Sequence, residues 1–329
     1  MEFTTEVKIA TDPIYQKVSK SIPEIEWALH APYIYKINKL KKEKNAVILA
    51  HNYQTPEIYH GISDFSADSL ALAIEASKTE ADIIVMCGVH FMAETAKLMS
   101  PNKKVLLPDM RAGCSLSSSI TGEDVKNLKK RYPGVPVVSY VNTSADVKAE
   151  TDVCCTSANA VKIVNSLGVK KVIFLPDDYL AKYVASQTDV EIISWKGTCE
   201  VHEQFNDEEI NEIRKNNPGI KIIAHPECPP DVIQASDFAG STSGMIKYVK
   251  DNQPEKVMMV TECSMSDNVQ IDNPNVEFIR PCNLCPHMKR ITLPKILDCL
   301  ENESNELIMD NDTIEKARKS VERMAEIGR

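Results

Sequence analysis

Three cysteines fall at nearly equal intervals along the chain. Cys114 and Cys199 are 85 residues apart (199 − 114), and Cys199 and Cys285 are 86 apart (285 − 199). Each follows a short apolar run: Val105-Leu106-Leu107, Ile192-Ile193-Ser194-Trp195 and Phe278-Ile279. One sulfur just past one strand, three times over, points to three copies of a single module. If the copies meet at a common centre, their thiolates converge. Three thiolates are the ligand set for an iron–sulfur cluster that keeps one iron open as a Lewis acid. Cys282 and Cys285 also form a Cys-x-x-Cys, often half of a zinc site. No second such pair exists in the chain, and Cys282 has no counterpart in the other modules.

The elements that would carry these cysteines repeat as well. The continuous apolar run 46–50 reads as a buried parallel strand and ends in His51-Asn52-Tyr53. The run 135–141 ends in Tyr140-Val141-Asn142, and the run 220–224 ends in His225-Pro226-Glu227. An Asp then precedes a hydroxyl at a helix start by five residues in each module: Asp64 and Ser69, Asp152 and Ser157, Asp237 and Thr242. Strands alternating with helices imply parallel sheets with right-handed crossovers, which gather the residues just past the strands on one edge. The fold expected is α/β, with three similar αβα domains around a pseudo-threefold axis and the active site at the centre. The domains expected are 1–118 with 286–329, then 119–203, then 204–285. Pro13 and Pro23 suit the first turns of two leading helices, and Asp312 with Glu315 suits a capping box before a last amphipathic helix. That last helix is expected to pack on the first module.

Ser69, Ser157 and Thr242 taken singly are ordinary N-cap residues. Three equivalent helix starts facing one cavity would instead favour an anionic substrate, through free N–H groups and positive dipole ends. At the strand ends the set is His51, Tyr53, Tyr140, Asn142, His225 and Glu227. Glu227, held between Pro226 and Cys228, suits a general base.

Composition narrows the class. With 329 residues, 43% hydrophobic and 26% charged, the chain is that of an ordinary globular protein with room for two or three cores. A formal charge of −9 argues against nucleic acid or an anionic membrane as partner. The first residues lack the basic and apolar regions of a signal peptide, and no apolar run approaches the ~20 residues that span a bilayer. A cytoplasmic location is expected, where ten cysteines mean metal or reactivity rather than disulfides. Cys87, Cys154, Cys155, Cys263 and Cys299 lie in apolar surroundings and read as buried small hydrophobes. No GxGxxG follows the first strand, so a dinucleotide site is excluded.

A run of motifs then resembles quinolinate synthase, the cluster-dependent enzyme family of NAD biosynthesis. They are Leu49-Ala50-His51-Asn52-Tyr53-Gln54, Phe91-Met92-Ala93-Glu94-Thr95-Ala96-Lys97, Gly113-Cys114-Ser115 and Gly197-Thr198-Cys199-Glu200-Val201-His202-Glu203. His225-Pro226-Glu227, Gly240-Ser241-Thr242-Ser243 and Cys285-Pro286-His287-Met288 complete the series. Where some members carry a third cysteine before the Pro, this chain has Ile279. The resemblance implies a [4Fe–4S] cluster on Cys114, Cys199 and Cys285. It implies condensation of iminoaspartate with dihydroxyacetone phosphate to quinolinate, with loss of phosphate and two waters. Glu227 would move protons in the ketose-to-aldose step, with Tyr53 and Tyr140 near the leaving hydroxyl and His225 beside them. His51, Ser69, Asn142, Ser157, His225 and Thr242 would hold carboxylates and phosphate. An aspartate oxidase or aspartate dehydrogenase would supply the imine. Two other readings stand beside this one. One is a [4Fe–4S] hydro-lyase acting on a small hydroxy acid; the other is a non-catalytic binding protein with zinc on Cys282 and Cys285.

Overall fold

The computed structural model describes residues 1–280 and 282–328. It contains three four-stranded sheets, all parallel and flanked by helices. The first holds β1 (Ala46–His51), β2 (Phe65–Ala67), β3 (Ile83–Cys87) and β4 (Lys104–Leu106), in the order β2-β1-β3-β4. The second holds β5 (Val137–Tyr140), β6 (Val153–Cys155), β7 (Lys171–Leu175) and β8 (Glu191–Ser194), in the order β6-β5-β7-β8. The third holds β9 (Lys221–Ala224), β10 (Phe238–Ala239), β11 (Lys256–Val260) and β12 (Glu277–Ile279), in the order β10-β9-β11-β12. The order is the same each time, so the repeat is one of topology as well as of sequence.

The inner strands read as continuous apolar runs because helices cover both faces. Ile48, Leu49 and Ala50 in β1 are fully buried, as are Val137 and Val138 in β5 and Ile222 and Ile223 in β9. Each sheet also has a short edge strand that composition does not announce. An aspartate fixes it. The Asp64 carboxylate accepts the Ile48 N–H at 2.8 Å, Asp152 accepts that of Val137 at 2.7 Å, and Asp237 that of Ile222 at 2.9 Å. In return their own N–H groups donate to Ile48, Val137 and Ile222 carbonyls. The Asp-to-hydroxyl register therefore has a structural cause: it is the clamp that aligns β2, β6 and β10 beside the central strands.

That register ends in the helix starts, where the caps are not the expected residues. Asp68 caps the helix Ser69–Lys78, accepting from Ala71 N–H at 2.9 Å. Ser241 caps the helix Thr242–Asn252, accepting from Gly244 N–H at 3.1 Å. Ser69 and Thr242 stand one residue inside, so the capping role falls to their neighbours. Ser157 precedes the helix Ala160–Ser166 altogether.

The chain forms two compact units. One comprises residues 1–112, 263–274 and 284–307, and the other residues 113–262, 275–283 and 308–329. The helix Leu293–Asn302 packs on the helix Glu24–Glu43 and on β3. The last helix, Asn311–Ile327, was expected with the first module but packs on β6 and on the helix Ala145–Ala149. Its Ser320 hydroxyl donates to the Lys148 carbonyl at 3.0 Å, and Asn159 Nδ2 donates to the Gly328 carbonyl at 3.1 Å. Its cap is Asp310 rather than Asp312, accepting from Thr313 N–H at 2.9 Å. The leading helix begins at Thr5 under a Thr4 cap, so Pro13 lies inside it on an exposed face. Among the described residues no helix is long and apolar enough to cross a membrane.

Candidate active site

In the second unit the strand ends of the second and third sheets carry a buried polar group. β5 ends in Tyr140, with Asn142 two residues on; β9 is followed by His225 and Glu227. Tyr140, His225 and Glu227 are all at most 5% exposed. Asn142 Nδ2 donates to Glu227 Oε1 at 3.4 Å, and the Tyr140 hydroxyl donates to the same carboxylate. His225 Nε2 lies 3.1 Å from Ser157 Oγ, and its Nδ1 accepts the Glu227 N–H at 3.4 Å. With Nδ1 as acceptor the ring proton sits on Nε2, facing the serine hydroxyl.

A further residue completes the group. His202, 1% exposed on the 3-10 turn His202–Gln204, puts Nδ1 2.8 Å from Glu227 Oε2 and 3.1 Å from Cys199 Sγ. Its Nε2 lies 2.9 Å from Thr261 Oγ1, and its ring stacks on that of His225 at 4.8 Å between centroids. Sequence reasoning missed His202. The signal available was its spacing from Cys199, a Cys-x-x-His inside the Gly197–His202 stretch.

Electrostatics follow from this crowding. Burial pushes the Glu227 carboxyl up, but His225, His202 and the Tyr140 hydrogen bond outweigh it and hold it well below the usual carboxylate range. Asp177, fully buried just after β7, goes the other way: burial first, then the charge of Glu227, raise its pKa well above normal. Its Oδ1 caps the helix Asp178–Ala185 through the N–H groups of Tyr179 and Leu180. The two carboxyls are driven apart in this way, Glu227 towards its anion and Asp177 towards its protonated form.

Cys199 is presented by a turn that only glycine permits. Gly197 donates to the Pro176 carbonyl at 3.0 Å, and a Cβ there would meet that oxygen at 2.6 Å. Ser115 Oγ donates to the Thr198 carbonyl and accepts the Glu200 N–H, both at 3.1 Å, which ties the Cys114 loop to the Cys199 loop. Burial, then Glu227 and Cys114, push the Cys199 thiol well up. Cys199, His202 and Glu227 are close enough to hold a metal ion, with ligand atoms all within 4.8 Å of one another. The 2.8 Å separation of His202 from Glu227, however, is that of a hydrogen bond.

The ten cysteines sort by exposure. Cys87, Cys154, Cys155, Cys228, Cys263 and Cys299 are buried, and Cys282 is exposed. Cys114, Cys199 and Cys285, the three marked by the repeat, are the three of intermediate exposure. A cluster ligand must be reachable by inorganic iron and sulfide yet shielded from bulk water, and these three fit that description.

The first unit holds His51, Tyr53, Ser69 and Cys285. His51 Nδ1 accepts the Tyr53 N–H at 3.2 Å, and the two rings meet edge to face at 4.7 Å. Lys289 fixes this turn, donating to the Tyr53 carbonyl at 2.8 Å and to Ser264 Oγ at 2.7 Å. Lys289 N–H also donates to the Cys285 carbonyl at 3.1 Å, so the cysteine turn and the Tyr53 turn are braced by one residue. Asn268 Nδ2 adds bonds to the carbonyls of Asn52 and Gln54. Neither Lys289 nor Asn268 was singled out by sequence.

Comparison with known proteins agrees with this assembly. The family model described as quinolinate synthetase A protein matches residues 35–326. The chain is 59% identical over 327 residues to the quinolinate synthase of Sinorhizobium fredii, covering 99% of this chain and 91% of that protein. It is 56% identical over 329 residues to the Caulobacter vibrioides quinolinate synthase (99% and 90%). It is 60% identical over 291 residues to that of Xylella fastidiosa (88% and 86%). The tripled parallel sheet, the strand-end histidines and a match over nearly the whole chain have one reading: the chain belongs to the quinolinate synthetase A protein family.

Proposed function

We propose that the chain is a quinolinate synthase that condenses iminoaspartate with dihydroxyacetone phosphate, releasing phosphate and two waters. Cys114, Cys199 and Cys285 would hold a [4Fe–4S] cluster, whose open iron supplies a Lewis acid for the dehydrations when it is bound. The hydro-lyase and zinc readings lose support to the family match. The observation that carries the proposal is the buried Glu227 carboxylate, set between two imidazoles and a tyrosine hydroxyl beside Cys199.

Glu227 is too well stabilised to be a strong base by itself. Its negative charge instead favours a proton on the neighbouring imidazole, so His225 gives and recovers its Nε2 proton at the Ser157 edge of the ring, with Glu227 as counter-charge. The ketose-to-aldose step needs this: one proton leaves the hydroxymethyl carbon and one returns to the adjacent carbon. Ser157 orients the His225 ring from its Nε2 edge. Tyr140 and Tyr53 would act at the leaving hydroxyl. Asn142, His51, Ser69 and Thr242 would hold carboxylates and phosphate. The imine hydrolyses in water, so an enzyme that oxidises aspartate, an oxidase or a dehydrogenase, would be the partner that supplies it.

The test is anaerobic incubation of purified protein with dihydroxyacetone phosphate and enzymically generated iminoaspartate. Quinolinate should form, and a fully loaded cluster should give about four iron and about four sulfide per chain. A protein carrying zinc and forming no quinolinate would overturn the proposal.

A further inference from the structure

We infer that His202 is a positioning residue that ties the acid–base group to the cluster sulfur, through one N–H shared between Glu227 Oε2 and Cys199 Sγ. The inference rests on the function proposed above. A ring nitrogen 2.8 Å from a carboxylate oxygen must be the donor, since two acceptors would repel, so Nδ1 carries the proton. The same proton faces Cys199 Sγ at 3.1 Å. At the opposite edge the Thr261 hydroxyl, 2.9 Å from Nε2, can donate to the ring, which keeps Nδ1 as the edge that faces Glu227 and Cys199 with its N–H. His202 and Thr261 are almost wholly buried, and His225 stacks flat against the imidazole, so the ring is held in one orientation.

The residue does not reach the reacting atoms by any contact seen here; it acts through two others. Towards Glu227 it fixes the carboxylate that supports His225. Towards Cys199 it offers an N–H···S hydrogen bond, and such bonds draw charge from a ligating sulfur and raise cluster potential. Loss of His202 should therefore show in two places that a purely structural residue would not link.

The experiment compares reconstituted wild type, His202→Leu, His202→Asn and Thr261→Val, with thermal melting and iron content recorded for each. Asn can place an amide donor close to the Nδ1 position. His202→Leu is expected to lower kcat about 10- to 100-fold with KM for dihydroxyacetone phosphate little changed, and to move the cluster potential to more negative values. His202→Asn should recover most of both effects. Thr261→Val should move both in the same direction as His202→Leu, by less. An unshifted potential in folded, iron-loaded His202→Leu would overturn the inference, as would equal losses in the Leu and Asn variants. If His202→Leu fails to fold or load, Thr261→Val decides, and wild-type values for that variant sink the idea. A wild type lacking both cluster and quinolinate formation would instead sink the functional proposal on which this one rests.

Discussion

The turns after β1 and β9 are built alike and equipped differently. In each, a histidine ring accepts the backbone N–H of the second residue on: His51 from Tyr53 at 3.2 Å, His225 from Glu227 at 3.4 Å. Each turn is braced by a hydrogen-bond donor from elsewhere in its own unit, Lys289 on the Tyr53 carbonyl and His202 on the Glu227 carboxylate. The difference lies in the side chain two residues past the histidine. In the first unit it is a phenol against an edge-on imidazole; in the second it is an anion between two imidazoles. The two turns thus share a backbone device that aims a histidine, and they differ at a single position, a tyrosine in one and a glutamate in the other.

The largest effect should come from removing the charge at that position. Glu227→Gln keeps the shape but swaps one acceptor oxygen for an amide donor that faces another donor, and it cannot support an imidazolium, so turnover should fall at least about 100-fold while iron content stays at wild-type level. Steady-state rates with iron analysis check this, and unchanged turnover would erase the distinction between the turns. Tyr53→Phe should cost about tenfold, the worth of one hydrogen bond of about 1.4 kcal/mol.

Smaller effects test whether the shared device is structural. Asp64→Ala and Asp237→Ala each remove a carboxylate bonded to the central strand's N–H. Each should lower unfolding free energy by roughly 1–3 kcal/mol, measured by denaturant titration, with little change in KM. A large KM change in either variant would show that the clamp belongs to the site. The smallest effect is expected at His60 in the first unit. Burial, then Lys17, lower its pKa to about 4. The unfolded chain, near 6.5, binds a proton that the folded chain refuses, so this contribution is present above pH 6.5 and is lost as pH falls from there towards 4. His60→Gln should flatten the fall of Tm across that window.

How much of this was legible in the sequence depends on distance along the chain. The long apolar strands and the 85- and 86-residue cysteine ruler could be read directly, because each rests on local composition or on a repeat. The edge strands β2, β6 and β10 could not: Phe238–Ala239 has two residues, and its pairing depends on the Asp237 clamp rather than on propensity. The helix Asn311–Ile327 showed an apolar stripe of Ile314, Ala317, Val321 and Met324, which says that it packs but not against what. His202 was hidden for the same reason, since its partners Glu227 and Thr261 lie 25 and 59 residues away and only the fold joins them. The conspicuous Cys282-x-x-Cys285 drew notice that Cys199-x-x-His202 warranted as well.

The central claim is that one sulfur from each module binds iron. Alanine variants of Cys114, Cys199, Cys285 and Cys282, purified without oxygen and assayed for iron, sulfide and visible absorption, test it most directly. The first three should be colourless and nearly iron-free, with Cys282→Ala as brown as wild type. Equal iron in all four, or loss confined to the Cys282 and Cys285 variants, would contradict it.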